Sequence, residues 1–454
     1  MPSVSALTEG LNPQQQEAVI HAGQPLLVVA GAGSGKTRVL TRRIGYLLAE
    51  RGCAPYEILA ITFTNKAAGE MKKRVAELVG DRAKSMWVST FHSACVRILR
   101  QEASRLGYTN SFTIYDSGDS NALLARIMKD MNLDTKRYAP RAVHALISAA
   151  KNELMGPADY LQNAGSDHFT QIVAEVFAHY QKRLTSSNAM DFDDLIGKTV
   201  EIFQRFPEAK MRYRSRFRHI LVDEYQDTNQ AQYQFIRELV GVEGDGFPIA
   251  ELCVVGDADQ SIYAFRGANI RNILQFEADY TNARTILLEQ NYRSTQNILT
   301  AANAVISNNE GRKEKNLWSD SGSGDLIKGY VAESEHDEAD HVISEIKALR
   351  EAGTSQPGDT AIFYRTNAQS RVFEEAFLRS AIPYKVVGGV RFYERKEIKD
   401  FLAYLRVIVN PQDEVSLRRI VNTPKRGIGD RALDVVQEHA NRLAITFWES
   451  LVDS

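Results

Sequence analysis

With 454 residues the chain exceeds the size at which one hydrophobic core keeps growing, so two or more domains are expected. Its 55 Lys and Arg against 57 Asp and Glu leave a net charge of −2, which marks no nucleic-acid binder and requires any such site to be local. Cys53, Cys95 and Cys253 show no Cys-x-x-Cys spacing, which argues against a disulfide framework or a zinc site, and with no secretory pattern in Met1 to Gly10 and no apolar run near ~20 residues a reducing cytoplasm is expected.

Along the chain, short β-branched runs end in polar, Gly-rich or acidic loops at Leu26 to Ala30, Glu57 to Asn65, Met86 to Ser93, His219 to Glu224, Leu252 to Asp257 and Arg284 to Gln290. Helix-period segments separate them, the signature of βαβ units, so the fold class is α/β with parallel sheets flanked by helices. Between about Tyr108 and Ala189 the pattern is helical only, with amphipathic stretches at Ser120 to Met131 and Phe169 to Leu184, and predicts a helical insertion. The basic run Arg205, Lys210, Arg212, Arg214, Arg216 and Arg218 reads as a solvated helix face leading into the strand at His219. A second α/β unit begins near Asn291, with strands predicted at Leu326 to Ala332, Thr360 to Arg365 and Tyr384 to Val387 and helices at Asp337 to Arg350 and Ser370 to Ser380. From Val390 onward the pattern is helical again, and no fixed-period repeat occurs.

Ligands of such sheets lie at the carboxyl ends of the strands, and the informative polar clusters sit there. Leu26-Leu27-Val28-Val29 runs into Ala30-Gly31-Ala32-Gly33-Ser34-Gly35-Lys36-Thr37, an apolar strand, a Gly-rich loop and a helix start. In this P-loop context Gly33, Ser34 and Gly35 let backbone N–H groups converge on a phosphate, Lys36 reaches the β- and γ-phosphates of ATP, and the Thr37 hydroxyl can ligate Mg²⁺. His219-Ile220-Leu221-Val222 delivers Asp223 and Glu224, one to hold Mg²⁺ and the other to orient or deprotonate an attacking water. Alone, two acids after an apolar run read as an ordinary strand end; with a P-loop upstream they read as hydrolysis. Gln260 follows another apolar run and could sense the γ-phosphate, while by itself it reads as a loop residue.

Taken in order from Leu11 to about Gly429, these and further motifs resemble the UvrD/PcrA/Rep family of superfamily 1 DNA helicases. The motifs are Leu11-Asn12-Pro13-Gln14-Gln15, the P-loop with Ala30 in its first position, Ala60 to Ala68, Ser89-Thr90-Phe91-His92-Ser93 and Met190-Asp191-Phe192-Asp193-Asp194-Leu195. Val222 to Asp227, Gly256 to Tyr263 and Leu288-Glu289-Gln290-Asn291-Tyr292-Arg293-Ser294 complete the series. The resemblance implies two RecA-like domains with helical insertions: residues 1–108 and 191–290 form the first, 109–190 its insertion, 291–388 part of the second, and 389–454 part of a second insertion. It implies that Gln15 reads the adenine, that Arg38 and Tyr292 sandwich it, and that Arg293 reaches the γ-phosphate as an arginine finger. A cation placed on the developing phosphoryl charge is worth roughly 10³ to 10⁵ in rate.

Stepping along a strand without sequence preference calls for aromatic faces on which bases stack, each worth about 1–3 kcal/mol, together with phosphate donors. The resemblance points to Phe63, His92, Phe192, Tyr263, Phe265, Arg266, Arg365 and Asn367, although each aromatic read singly is an ordinary core residue. Phe265 and Ala264 stand where relatives usually carry Trp and Arg. Thr423 to Gly429 resembles the family's duplex-holding element, in which Gly427 and Gly429 allow close phosphate approach and Lys425 and Arg426 add charge. The expected activity is ATP-dependent 3′-to-5′ unwinding or translocation on single-stranded DNA and single/double-strand junctions, in repair or replication, beside repair proteins, by a monomer or weak dimer with no membrane partner. An ATP-gated single-strand clamp and the helicase part of a helicase-nuclease are the alternatives. The family's later Thr-x-His-x-x-Lys-Gly and Thr-Arg-Ala patterns do not occur after Ser294, so the expectation is a fragment of a longer native protein or a dead-ended relative, with 454 residues that bind ATP and DNA and are impaired in unwinding.

Overall fold

A computed structural model describes residues 4–163, 165, 167–242, 244–246, 248–264, 267–310, 312, 314–387 and 395–453. Six strands form one parallel sheet: β1 (Leu26–Ala30), β2 (Ile58–Thr62), β3 (Trp87–Thr90), β6 (His219–Val222), β7 (Glu251–Gly256) and β8 (Arg284–Leu288), in the order β3-β2-β6-β7-β1-β8. Each coincides with a run expected to be a strand. The continuous burial of β1, β2 and β6 is that of strands covered on both faces. Period-two alternation divides them between two cores: Leu27 and Val29 pack with Ile61 and Val222, whereas Leu26, Val28 and Ala30 pack with Ala60 and Leu221.

Polar caps start the helices where the strands end. Thr64 accepts from the Ala67 N–H at the head of Asn65–Val79, Thr90 from Ser93 at Phe91–Glu102, and Asn229 from Gln232 at Gln230–Val240. The insertion holds helices Ser117–Asp130, Pro140–Asn152, Pro157–Asn163 and His168–Ser186 around its own core of Tyr115, Leu124, Phe177 and Tyr180. Its neck is not purely helical, because β4 (Thr113–Ile114) pairs in parallel with β5 (Ala189–Met190).

The chain divides into two compact units, residues 1–324 with 404–454, and residues 325–403. In the first, the later segment docks on the insertion through buried polar groups. Asn410 Nδ2 donates to Thr113 Oγ1 and to the Ser187 and Asn188 carbonyls at 3.0–3.1 Å, and the Tyr115 hydroxyl donates to Asp413 Oδ1 at 2.8 Å. The second unit packs helices Glu335–Glu351 and Ser370–Arg379 through Ala339, Ile343, Ile346 and Ala376. Its expected strands at 326–332, 360–365 and 384–387 are a correction: the described residues there form no ladder. Val331 is 96% and Phe363 94% exposed, so alternating apolar residues have no sheet face to pack on, and strand propensity alone supplies no hydrogen-bond partner. The basic run is corrected in one respect: Arg205 and Arg212 are exposed as expected, but Arg214 is buried against Asp245, and Arg212 and Lys210 are ion-paired with Glu102 and Glu238.

Where the insertion meets helix Phe192–Arg205, Lys151 is buried with its Nζ 2.7 Å from Asp191 and 3.0 Å from Asp194, and the Tyr180 hydroxyl donates to Asp191. Burial works against the Lys151 charge, but the two carboxylates outweigh it and raise the ammonium above its ordinary value. Lys151→Met leaves both carboxylates buried without their cation and is expected to lower stability by about 3–5 kcal/mol in urea unfolding. Burial, then repulsion from Asp191, pushes Asp193 up to about 7. A raised carboxyl contributes stability that is complete below the unfolded value of about 4 and lost as pH rises through the folded value. Asp193→Asn is therefore expected to be more stable than the parent at about pH 8 and to lose that advantage near pH 4, read by thermal melts across the range.

Candidate functional site

β1 ends in the glycine-rich loop, and helix Lys36–Ala49 starts directly from it, so unpaired N–H groups and the positive end of the helix face one point. Inside the loop the Ser34 hydroxyl donates to the Gly31 carbonyl at 2.8 Å, and the Gln15 amide donates to the Ser34 carbonyl at 2.8 Å. Gln15 is 1% exposed, and its Oε1 accepts from the Asn12 N–H, so the capping box of helix Pro13–Ile20 is what presents it to the loop. Thr37 is half-buried and Arg38 exposed on the first turn of Lys36–Ala49.

Lys36 points away from the loop to the neighbouring strand ends. Its Nζ donates to Glu224 Oε2 at 2.9 Å and to Gln260 Oε1 at 3.3 Å. Glu224 follows β6 with φ 50°, a left-handed backbone uncommon outside glycine, and its N–H bonds Asp223 Oδ1. Asp223 is 7% exposed; burial, then the charge of Glu224, pushes its carboxyl up to about 6, and Lys36 opposes the shift. An oxygen-only pair of buried carboxylate and hydroxyl, Asp223 and Thr37, has the donor chemistry that Mg²⁺ takes. Gln226, absent from the expected site, joins the two acidic strand ends: its Nε2 donates to Glu224 Oε2 at 2.9 Å, and its Oε1 accepts from the Asp257 N–H at 2.9 Å. The one sequence signal for it was a long polar side chain two residues after the paired acids, which turned out 1% exposed.

Past β8 the chain turns back over the loop. Asn291 Nδ2 donates to the Ala32 carbonyl at 2.5 Å, the Tyr292 N–H to the Gly33 carbonyl at 2.9 Å, and Asn291 Oδ1 accepts from the N–H groups of Arg293 and Ser294. Asn291, buried, is the second residue the motif reading left without a role. Tyr292 and Arg293 are exposed, and the Tyr292 hydroxyl meets Asn12 at 3.1 Å and Gln290 at 2.8 Å. Gly33, at φ 68°, has no room for a side chain, since a Cβ there would lie 2.5 Å from Asn291 Nδ2 and 2.7 Å from Arg293 Cβ.

Of the expected strand-contacting residues, Phe63 and Tyr263 lie with ring centres 4.8 Å apart, and His92 meets Phe192 edge to face at 5.7 Å. Phe192 heads helix Phe192–Arg205 and is 49% exposed, so its ring is available as a stacking face. Burial pushes His92 down, making it a neutral donor or acceptor at neutral pH. Phe265 and Arg266 lie outside the described residues. In the second unit Arg365 and Asn367 are exposed around the turn Asn367–Gln369. Gly427, at φ 76°, and Gly429 are exposed before helix Asp430–Leu443. Arg426 is exposed but folds its guanidinium back on the chain, bonding the Ile420, Val421 and Thr423 carbonyls and the Tyr404 hydroxyl, because a guanidinium can satisfy several carbonyls left over at a helix end.

Gly33→Ala must displace the Asn291–Arg293 turn and hold alanine at positive φ. A loss on the order of 2 kcal/mol is expected in urea unfolding, and unchanged stability would mean that the turn does not rest on the loop.

The model of the UvrD/REP helicase N-terminal domain matches residues 11–281, and that of the UvrD-like helicase C-terminal domain matches residues 286–453. Among curated proteins the chain is 61% identical over 450 residues to the ATP-dependent DNA helicase UvrD1 of Mycobacterium tuberculosis, covering 98% of this chain and 58% of that protein. Against the protein of the same name from Mycobacterium leprae it is 59% identical over 456 residues, with 99% and 59% covered. Against the ATP-dependent DNA helicase PcrA of Staphylococcus aureus it is 52% identical over 448 residues, with 99% and 60% covered. The chain thus spans less than two thirds of these relatives' length. The phosphate-loop geometry and the two consecutive domain matches agree that the chain belongs to the UvrD/REP helicase family.

Proposed function

We propose that the chain is the ATP-hydrolysing portion of a DNA helicase that moves 3′ to 5′ along single-stranded DNA, acting in DNA repair or replication. The observation that supports this most is the meeting of Lys36, Glu224 and Gln260 at three adjacent strand ends beside the phosphate loop. The Lys36 ammonium and the Glu224 carboxylate neutralise each other at 2.9 Å. Incoming phosphates compete for Lys36, and that exchange releases Glu224 to take a proton from the attacking water. Gln226 keeps one Glu224 oxygen oriented while this happens. Ser34, Gly35 and the start of helix Lys36–Ala49 offer N–H groups to the phosphates, and Gln15 reads the adenine between Arg38 and Tyr292.

Asp223 and Thr37 would hold Mg²⁺, which neutralises phosphate charge when bound. Arg293 acts as the arginine finger, and the Asn291 turn that carries it is bonded to the loop it must serve. Phe63, Phe192, Tyr263, Phe265 and Arg266, with His92, Arg365 and Asn367, form the single-strand track, and Gly427 and Gly429 contact the duplex side of a junction. In this reading the chain divides into domains at 108, 190, 290 and 388.

ATP hydrolysis with and without oligo-dT tests the proposal. DNA-stimulated turnover is expected, lost in Lys36→Ala together with tight ATP binding. Glu224→Gln is expected to keep ATP binding while turnover falls by about 10² to 10⁴, the usual worth of a general base. Arg293→Ala is expected to cost roughly 10³ to 10⁵ in turnover. Binding of ATP and DNA with no stimulation in the whole protein would support a clamp in place of a motor.

A further inference from the structure

Between helix Gln296–Ile306 and the second compact unit the chain makes a return pass that no nucleotide motif covers. Asn303 holds Leu317 on both sides, donating from Nδ2 to its carbonyl at 3.0 Å and accepting its N–H at 3.3 Å. The Asn316 N–H bonds Glu289, and the Asn291 N–H donates to the Trp318 carbonyl at 2.8 Å, so the pass is fastened to the turn that carries Arg293. Leu317 packs on the phosphate loop itself, where a Cβ on Gly31 would come within 2.2 Å of it. This pass delivers Lys315, 5% exposed, to the end of β7.

There the Lys315 ammonium lies 2.5 Å from Asp257 Oδ1 and also bonds Asp259. Arg312 grips the same Asp259 with Nε and Nη2 at 3.1 and 2.9 Å. Two cations thus answer two largely buried carboxylates, as carboxylates removed from water require. Asp257 divides its oxygens: Oδ1 takes Lys315 and the Asp259 N–H, while Oδ2 accepts Gln260 Nε2 at 2.6 Å. Gln260 then has one orientation open to it. A carboxylate only accepts and the Lys36 ammonium only donates, so the amide must turn its nitrogen to Asp257 and its oxygen to Lys36.

We propose that Lys315 is a positioning residue of the nucleotide site, which by neutralising Asp257 and Asp259 keeps the Gln260 amide aimed at the γ-phosphate position. The inference rests on the reading of Gln260 as γ-phosphate sensor given above. Because the pass is bonded to the Asn291 turn, one short segment sets the attitude of both Gln260 and the backbone of Arg293. Without Lys315 the two aspartates repel across the end of β7, and Asp257 Oδ2 is no longer held where it accepts from Gln260 Nε2.

The test compares Lys315→Met, Gln260→Ala and the double variant in the full chain, with fluorescent ATP and ADP analogues for binding and with oligo-dT-stimulated turnover. Lys315→Met is expected to lower kcat by about 10- to 100-fold, as a misplaced reacting group does, with KM for ATP little changed and with ATP discriminated from ADP as poorly as in Gln260→Ala. The double variant is expected to match Gln260→Ala alone, because both substitutions remove one interaction. Losses that multiply, or discrimination retained in Lys315→Met, would overturn the proposal while leaving the functional reading intact. A parent chain that binds neither nucleotide would instead overturn the functional reading. In that case the side-chain amide signal of Gln260, identified by Gln260→Glu in protein labelled with ¹⁵N-glutamine, still decides the placement: an unmoved signal in Lys315→Met refutes it, and a shifted, more rapidly exchanging one upholds it.

Discussion

Carboxylates withdrawn from water need cations or a full set of donors, and this chain sets the buried Asp223 and Asp257, with the partly exposed Glu224, at the ends of adjacent strands. The strand order β6-β7-β1 makes the solution possible. Lys36 leaves the end of β1, meets Glu224 from β6, and reaches the Gln260 amide that follows β7. Gln226 and Asp257 close the network from below. Each member is held by at least one other, so any displacement of Lys36 changes the environment of Glu224 and Gln260 together. The left-handed backbone at Glu224 fits such a site, since strain of that kind persists only where its surroundings impose it.

The same rule shapes the body around the sheet. Lys151 answers Asp191 and Asp194 where the insertion meets helix Phe192–Arg205, and those two aspartates form the capping box that starts the helix and exposes Phe192 on its first turn. At the neck of the insertion Asn410 and Asp413, both nearly or wholly buried, bind residues 404–454 through backbone carbonyls and a tyrosine hydroxyl. These are directional contacts. Where an apolar interface would tolerate sliding, they allow one register, because any shift leaves a buried polar group unpaired.

Apolar runs ending in polar loops, and the glycine pattern after Val29, determined by themselves the α/β class, the six strands of the main sheet, the helical insertion and the place of Lys36, Asp223, Glu224 and Gln260. They could do so because strand period, helix caps and phosphate loops are local chemistry, written within a few residues. The strands expected in 326–387 were read by the same local rule and did not form, since a parallel strand is completed only by neighbours distant in sequence. Tertiary structure alone decided that Gln226 bonds Glu224 and Asn291 bonds the glycine-rich loop, that Arg214 is buried and Arg426 folds back on its own chain, and that Lys315 pairs with the aspartate that holds Gln260. A lysine 58 positions from its aspartate carries no local signature. Its role comes from the charge it must balance, and that charge is buried only once the fold has closed around it.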